Sequence, residues 1–291
     1  MKPAPFVYHA PESVDQAIEL LGEVGEDAKL LAGGQSLVPA MNFRILQPSV
    51  LIDLNRIDAL TYLEPTDDGG VRMGAMTRQA AVEHSEEVAK RVPLLQLAMP
   101  LIAHPQIRNR GTIGGSLAHA DPAAELPVAA VAADASFVIR HNGSQRTVAA
   151  PEFFQGMFTT DLGPQDLLVE IQWPGTPART GWAFEEVTRR SGDYAMAGVA
   201  ARVTLAQDGA CEQARLVYLN VGDGPTLAPQ AADMLRGQSR SSDLFAEAAD
   251  KAAADEIFPF GNVHASPNYQ RHLARVLTIR ALENAWQRAA G

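Results

Sequence analysis

The sequence predicts an α+β protein built from two units, on three observations. The chain has 291 residues, more than one compact core of about 100–200 residues usually holds. It opens on a helical pattern followed by two short apolar runs with a loop between them. It closes on strand-like segments followed by helical ones, the order that gives a small antiparallel sheet with helices on one face.

The elements follow from periodicity and from breakers. Residues 12–24 carry Val14, Ala17, Ile18 and Leu21 at helical spacing, with Pro11 and Ser13 near the start. Residues 29–32 and 49–54 read as buried strands. Residues 65–70 are a turn cluster, 71–76 a strand and 77–85 a helix capped by Thr77. A further helix over 92–99 is stopped by Pro100, and another covers 126–133. Residues 136–140 and 145–148 form a hairpin around Asn142-Gly143, a strong turn signal. A strand over 167–173 ends at Pro174, and residues 174–180 read as a linker. Beyond it lie strand-like segments at 183–188, 198–205 and 214–221, then helical ones at 227–235, 242–253 and 268–289.

Composition bounds the function. Hydrophobic residues make up 46% and charged residues 20%, so the chain can bury a sizeable core. The net charge of −10 argues against nucleic acid and anionic membrane, both of which want clustered Lys and Arg. A phosphorylated ligand would then be held mainly by backbone N–H groups. The first 15 residues contain one Lys and no apolar stretch, so no signal peptide is expected, and the apolar run 128–139 is too short to span a bilayer. A cytoplasmic protein without membrane insertion is the expectation. The one cysteine, Cys211, excludes an internal disulfide, a Cys-ligated iron–sulfur cluster and a zinc ribbon.

Two glycine-rich segments can carry chemistry. Ala32-Gly33-Gly34-Gln35-Ser36-Leu37 directly follows a strand, and Gly111-Thr112-Ile113-Gly114-Gly115-Ser116 follows Arg108 and Arg110. Paired glycines let backbone amides approach a phosphate, and Ser and Thr hydroxyls add donors. Gly114 is the position at which a branched side chain would block such an approach. Each segment can equally be a tight turn, and both readings stand at this level. Neither fits Gly-x-Gly-x-x-Gly and no Gly-Lys dipeptide occurs, so a Rossmann domain or P-loop is not expected. His104 and His119 flank the second segment outside any metal spacing, and no metal site is expected. Asp121 and Glu125 read by spacing as helix-start residues, with Pro122 at a first helical position. No Gly-x-Ser-x-Gly elbow supports a hydrolase.

Three stretches together resemble the FAD-binding medium subunit of the molybdenum hydroxylases, the xanthine dehydrogenase and carbon monoxide dehydrogenase family. They are Ala32-Gly33-Gly34-Gln35-Ser36-Leu37-Val38-Pro39, the run from Ile107 through Ser116 with Ala118-His119-Ala120-Asp121-Pro122-Ala123-Ala124-Glu125-Leu126-Pro127 after it, and Phe184-Glu185-Glu186-Val187-Thr188-Arg189-Arg190-Ser191-Gly192-Asp193-Tyr194-Ala195. The resemblance runs nearly the full length, with the three stretches in order and at matching separations.

The resemblance implies an α+β chain. A PCMH-type FAD-binding domain over 1–175, of two α/β subdomains (about 1–57 and 58–175), is followed by a C-terminal α+β domain over 176–291. It implies noncovalent FAD, with the two glycine segments wrapping the pyrophosphate from opposite sides. The implied cofactor-binding set is Ala32, Gly33, Gly34, Gln35, Ser36, Leu37, His104, Ile107, Asn109, Gly111, Thr112, Ile113, Gly114, Gly115, Ser116, Ala120, Asp121, Glu125, Leu168, Arg189, Asp193 and Tyr194. Glu125 stands where the family usually has Asp, and Leu168 where it has an aliphatic residue near the isoalloxazine. Tyr194 matches the aromatic that stacks on or near the ring, and is the expected catalytic residue. Some relatives carry Lys near the positions of Glu185 and Glu186; this chain has carboxylates. The implied partners are an iron–sulfur small subunit with [2Fe-2S] clusters and a molybdopterin large subunit, as a dimer of heterotrimers. The flavin subunit would accept electrons from the iron–sulfur subunit and pass them to an external acceptor. A stand-alone FAD-dependent oxidoreductase of the same fold, and a nucleotide-binding scaffold without activity, are the other readings.

Overall fold

The computed structural model describes all residues, Met1–Gly291. The chain begins with a three-stranded parallel sheet, β1 (Val7–His9), β2 (Ala28–Leu31) and β3 (Val50–Asp53), in the order β1-β3-β2. Helix α1 (Val14–Val24) makes the crossover that parallel pairing requires. Ser13 caps it by accepting from the Gln16 amide, and Ala17, Ile18 and Leu21 form its buried stripe. The sequence reading missed β1, whose three residues are too few to show a period. It also left α2 (Leu37–Asn42) inside the loop between β2 and β3.

The middle of the chain forms a five-stranded antiparallel sheet. Strands β4 (Leu63–Pro65) and β5 (Val71–Gly74) lead into six short helices: α3 (Gln79–Glu83), α4 (Glu86–Arg91), α5 (Pro93–Ala98), α6 (Pro105–Arg108), α7 (Ile113–His119) and α8 (Glu125–Ala132). The hairpin β6 (Ser136–His141) and β7 (Ser144–Ala149) follows, turning where Asn142-Gly143 predicts. After α9 (Ala150–Phe153) and the two-stranded β8 (Phe154–Gly156) and β9 (Thr159–Thr160), strand β10 (Leu167–Trp173) enters the centre of the sheet. Its order is β4-β5-β10-β6-β7. Helix α8 is buried on every side, as a helix apolar all round must be.

The last part is an antiparallel sheet, β11 (Thr180–Thr188), β12 (Ala195–Leu205), β13 (Cys211–Leu219) and β14 (Thr226–Leu227), paired in sequence order. Helices α10 (Pro229–Asp233), α11 (Ser242–Lys251) and α12 (Pro267–Ala290) follow. Helix α12 covers one face of β11 and β12, while α5 and α8 cover the other. The sheet is therefore buried on both faces, and its strands alternate between two cores. Trp182 and Phe184 join the central core, and Ala183 joins the core under α12. Asp134 adds an ionic tie across this contact, pairing Arg202 at 2.7 Å and Arg215 at 2.6 Å.

Three local expectations are corrected. Thr77 caps no helix: its hydroxyl donates to the Tyr62 carbonyl at 2.7 Å, and the N-cap of α3 is Arg78. The expected strand over 71–76 stops at Gly74: the Ala75 amide still bonds Val169 of the neighbouring β10, but the Met76 amide bonds Leu60 and the Thr77 amide turns back onto Gly74. Pro122 is not the first helical residue. It lies in a turn where Asp121 accepts the Ala123 amide at 2.9 Å, and α8 starts at Glu125.

Helix α12 approaches β11 so closely that a Cβ on Gly181 would collide with the Ala285 carbonyl. Gly181→Ala should therefore destabilise the chain by about 1–3 kcal/mol through overpacking, read from its urea-unfolding midpoint. An unchanged midpoint would mean that the helix is free to move off the sheet.

Candidate functional site

Two of the sequence-predicted segments meet at the end of the first sheet. Residues 32–36 leave the C-terminal end of β2, the edge at which open parallel sheets present their loops to ligands. A Cβ on Gly33 would lie 2.5 Å from the Arg110 carbonyl oxygen and 2.8 Å from Gly111 Cα. Only glycine allows that approach. Gly115 faces the same junction, where an added Cβ would stand 3.1 Å from Ala32 Cβ.

Hydrogen bonds absent from the sequence reading pin this junction. The Asn55 side chain donates to the Ala32 carbonyl at 2.9 Å, and its oxygen accepts from Arg78 at 2.6 Å. Arg78 also donates to the Arg110 carbonyl, so one guanidinium joins both segments. Asp53 orients Asn55 by accepting from its amide at 2.9 Å and accepts from the Tyr8 hydroxyl at 2.6 Å. Burial works against the Asp53 charge, but hydrogen bonds from Tyr8 and Asn55 and the positive Arg110 outweigh it and hold its pKa below the ordinary value. No motif signals Asn55 or Arg78, because the residues they join are distant in sequence.

The two segments differ in what they offer. In the first, the amides of Gly33, Gly34, Gln35, Ser36 and Leu37 donate to no group of the chain. Gly34 has φ 74°, which turns successive N–H groups into a concave nest. Arg110 is exposed at the same junction. Five consecutive free donors beside a guanidinium fit an anion the size of a pyrophosphate.

In the second segment the donors are already committed. Gly111 donates to Ile107, Ile113 to Thr77, Gly114 to Ala75, and Ser116 to the Thr112 carbonyl, while Gly115 donates to the Thr112 hydroxyl at 3.1 Å. Thr112 alone has a free amide. Ile113, Gly114, Gly115 and Ser116 are the first turn of α7, capped by Thr112, rather than a loop. Gly114 serves packing: a Cβ there would lie 2.5 Å from Ala75 Cβ and 2.7 Å from its carbonyl. Its amide therefore faces Ala75, and its φ is not positive. Arg108 points away from the junction. It grips Glu83 through two bonds of 2.7 and 2.8 Å and donates to the Ile102 carbonyl at 2.8 Å.

Helix α7, seven residues or about 10 Å long, leads from this junction to a second cluster. Ala120 ends the helix in the left-handed region, and its carbonyl accepts the Phe158 amide at 3.0 Å. Glu125 begins α8, only 7% exposed. Residues 189–194 arrive from the C-terminal sheet. Arg189 donates to Asp193 at 2.8 Å, Arg190 lies 3.5 Å from the same carboxylate, and Asp193 accepts the Tyr194 amide at 3.1 Å. Gly192, at φ 80°, rests on the His104 ring, where no side chain fits. Tyr194 is 67% exposed and presents an open aromatic face. Loss of hydration first, then the charges of Asp121, Glu125 and Asp193, raises its phenol pKa.

The carboxyls here are perturbed. Burial, then the charge of Asp121, pushes Glu125 up to about 7. Burial, then Glu125, pushes Glu186 up to about 8. Glu186 was legible only in part: alternation along β11 places it on the face of Trp182 and Phe184, but its neighbour Glu125 comes from α8.

Of the remaining expected residues, Ile107 accepts the Arg110 and Gly111 amides, Asn109 is exposed, and Leu168 is a core residue in register with Ile139. No three His, Cys, Asp or Glu side chains converge as a metal site, and no helix is long and apolar enough to cross a membrane.

Because Gly114 packs on Ala75, Gly114→Val should lower the stability of the ligand-free chain by about 3 kcal/mol, measured by urea unfolding. Wild-type stability in the variant would show that α7 can lift from β5 without cost.

The comparisons with known proteins agree with this geometry. Residues 4–176 match the family described as FAD binding domain in molybdopterin dehydrogenase, and residues 182–285 match the CO dehydrogenase flavoprotein C-terminal domain. The chain is 42% identical to the 6-hydroxypseudooxynicotine dehydrogenase complex subunit alpha of Paenarthrobacter nicotinovorans, over 99% of this chain and 97% of that one. It is 41% identical to the carbon monoxide dehydrogenase medium chain of Hydrogenophaga pseudoflava, over the full length of both. The solved carbon monoxide dehydrogenase from that organism superposes with a TM-score of 0.95 over 99% of each chain. Quinoline 2-oxidoreductase from Pseudomonas putida 86 gives 0.95 at 35% identity, over the whole of both chains. The nest of free amides, the exposed Tyr194 loop and the match along both halves lead to one conclusion: the chain belongs to the FAD-binding subunit family of the molybdopterin dehydrogenases.

Proposed function

We propose that this chain is the electron-transfer subunit of a molybdenum-containing hydroxylase or dehydrogenase, taking electrons from an iron–sulfur subunit and passing them to an external acceptor. The observation that carries this is the row of five free amides from Gly33 to Leu37 beside Arg110, in a chain that belongs to an FAD-binding family. Residues 1–175 form the FAD-binding domain, divided near residue 57, and residues 176–291 the C-terminal domain.

The chain's residues divide the work. Gly33, Gly34, Gln35, Ser36 and Leu37 bind the pyrophosphate with amides, and Arg110 adds the positive charge. Thr112, at the N-cap of α7, brings its one free amide and the helix dipole to the same place. Asp121 and Glu125 lie at the other end of α7, within reach of the hydroxyl-bearing chain of the ligand. Tyr194 offers an aromatic face to a flat ring, and the Arg189–Asp193 pair with His104 holds the Tyr194 loop. FAD, when bound, supplies a centre that exchanges electrons singly or in pairs.

Several relatives are named as medium chains or subunits of complexes, and one solved relative is a Cu,Mo-CO dehydrogenase. These support partner subunits, which we assign as a molybdopterin large subunit and an iron–sulfur small subunit in a dimer of heterotrimers. The cytoplasm is the proposed compartment.

Purified alone, the chain should carry FAD that acid releases into the supernatant, yet oxidise no heterocycle, aldehyde or carbon monoxide. Co-expressed with its partners, it should show substrate-dependent flavin reduction. Turnover of a small organic substrate by the isolated chain would make it a stand-alone flavoenzyme instead. Gly34→Val forces a branched side chain into a positive-φ position. It should raise the Kd for FAD at least about tenfold, or 1.4 kcal/mol, in a fluorescence titration. Unchanged affinity would remove the nest from the site.

A further inference from the structure

Arg78 is a half-buried guanidinium that the fold leaves without an ion-pair partner. Both of its side-chain hydrogen bonds go to neutral oxygens: Nη1 donates to the Arg110 carbonyl, and Nη2 donates to Asn55 Oδ1 at 2.6 Å. The Arg110 side chain beside it is exposed. Neither arginine takes part in any ion pair of the chain. Arg108 is the contrast, since Glu83 closes off its charge at 2.7 Å.

One carboxylate stands close, and the fold keeps it from pairing. Asp53 accepts only from neutral donors: the Tyr8 hydroxyl at 2.6 Å, the Asn55 amide at 2.9 Å and the Asn55 side chain at 2.5 Å. Asn55 therefore stands between the two charges, bonded to Asp53 on one side and to Arg78 on the other. Burial first, then the like charge of Arg110, lowers the Arg78 pKa, and Asp53 offsets this only in part. One carboxylate against two guanidiniums leaves a positive charge at this junction, in a chain of net charge −10.

The same bonds place that charge beside the free amides. The Arg110 carbonyl oxygen that Arg78 binds would lie 2.5 Å from a Cβ on Gly33. Asn55, the other partner of Arg78, holds the Ala32 carbonyl at 2.9 Å. The row of free amides starts at Gly33, directly after Ala32. With only two bonds made, the guanidinium fork keeps further donors for a phosphate.

We propose that Arg78 is the second cation of the anion site, the charge that makes the Gly33–Leu37 nest net positive where Arg110 and Asp53 alone would cancel. It attracts the phosphates of the dinucleotide while its bonds to Asn55 and Arg110 hold it in place. This deepens the flavin reading of the same site and rests on it.

ADP carries the pyrophosphate without the flavin ring and serves as the probe beside FAD. In calorimetric titrations of the flavin-free chain, Arg78→Gln should raise both Kd values by the same factor, at least about tenfold or 1.4 kcal/mol. Arg78→Lys keeps the charge but not the fork, and should recover most of that loss. A lysine no better than glutamine would make Arg78 a structural clamp and overturn the assignment. Salt dependence reads charge rather than fold. The wild-type Kd for ADP should rise with added salt, because screening weakens the attraction, and should rise less steeply in Arg78→Gln. Parallel salt curves, or wild-type affinity in Arg78→Gln, would also overturn the assignment while leaving FAD binding intact. A wild-type chain that binds ADP in this Arg78-dependent way but binds no FAD defeats the flavin reading and leaves the second cation standing.

Discussion

The approach of Gly33 to the backbone of Arg110 and Gly111 sets the geometry on which the rest of the site depends. The two strand systems must place these segments in direct backbone contact, and no residue with a Cβ satisfies that distance. Contact alone would not fix the orientation of the amides. That falls to Asn55 and Arg78, which tie the Ala32 and Arg110 carbonyls into one network rooted in Asp53. Each such bond is worth only about 1 kcal/mol net. As a connected network they fix one arrangement where separate bonds would leave several.

Electrostatics explains how an acidic protein can present the proposed anion site without a basic patch. The chain carries net charge −10, and of the two arginines before α7 one is spent internally. Arg108 is buried against Glu83, a pair whose separation would strand a buried charge. That leaves Arg110 and the nest. Backbone amides attract at short range without adding net charge, so the site can be anion-selective while the surface stays negative. At the opposite end of α7 the polarity reverses, and carboxyls from three segments crowd around Tyr194.

The C-terminal sheet is a structural part of this site. Helix α8 packs against it, and Asp134 clamps it through Arg202 and Arg215. The same sheet delivers the Tyr194 loop and Glu186. Residues 174–179 therefore act as a short connection held in place, with Thr176 bonded to the Arg91 carbonyl at 3.0 Å, rather than as a flexible tether. Movement of the sheet would shift the aromatic face and Glu186 together, without touching the amide nest.

Local sequence determined what depends on period and on breakers. The α1 stripe of Ala17, Ile18 and Leu21, the Asn142-Gly143 hairpin, the stop at Pro174 and the strands and helices of the C-terminal sheet were legible, because each is decided by residues a few positions apart. The glycine segments were legible as candidates, since paired glycines are rare in regular elements. Tertiary structure decided what each segment does. The first became a nest because its amides find no partner; the second became the start of α7 because Ala75 and Thr77 accept its amides from another part of the chain. Short pieces such as β1 and α2 escaped because three to six residues carry too little period. Asn55 and Arg78 escaped for a different reason: their bonds join residues 23 to 32 positions apart, and only folding sets such distances.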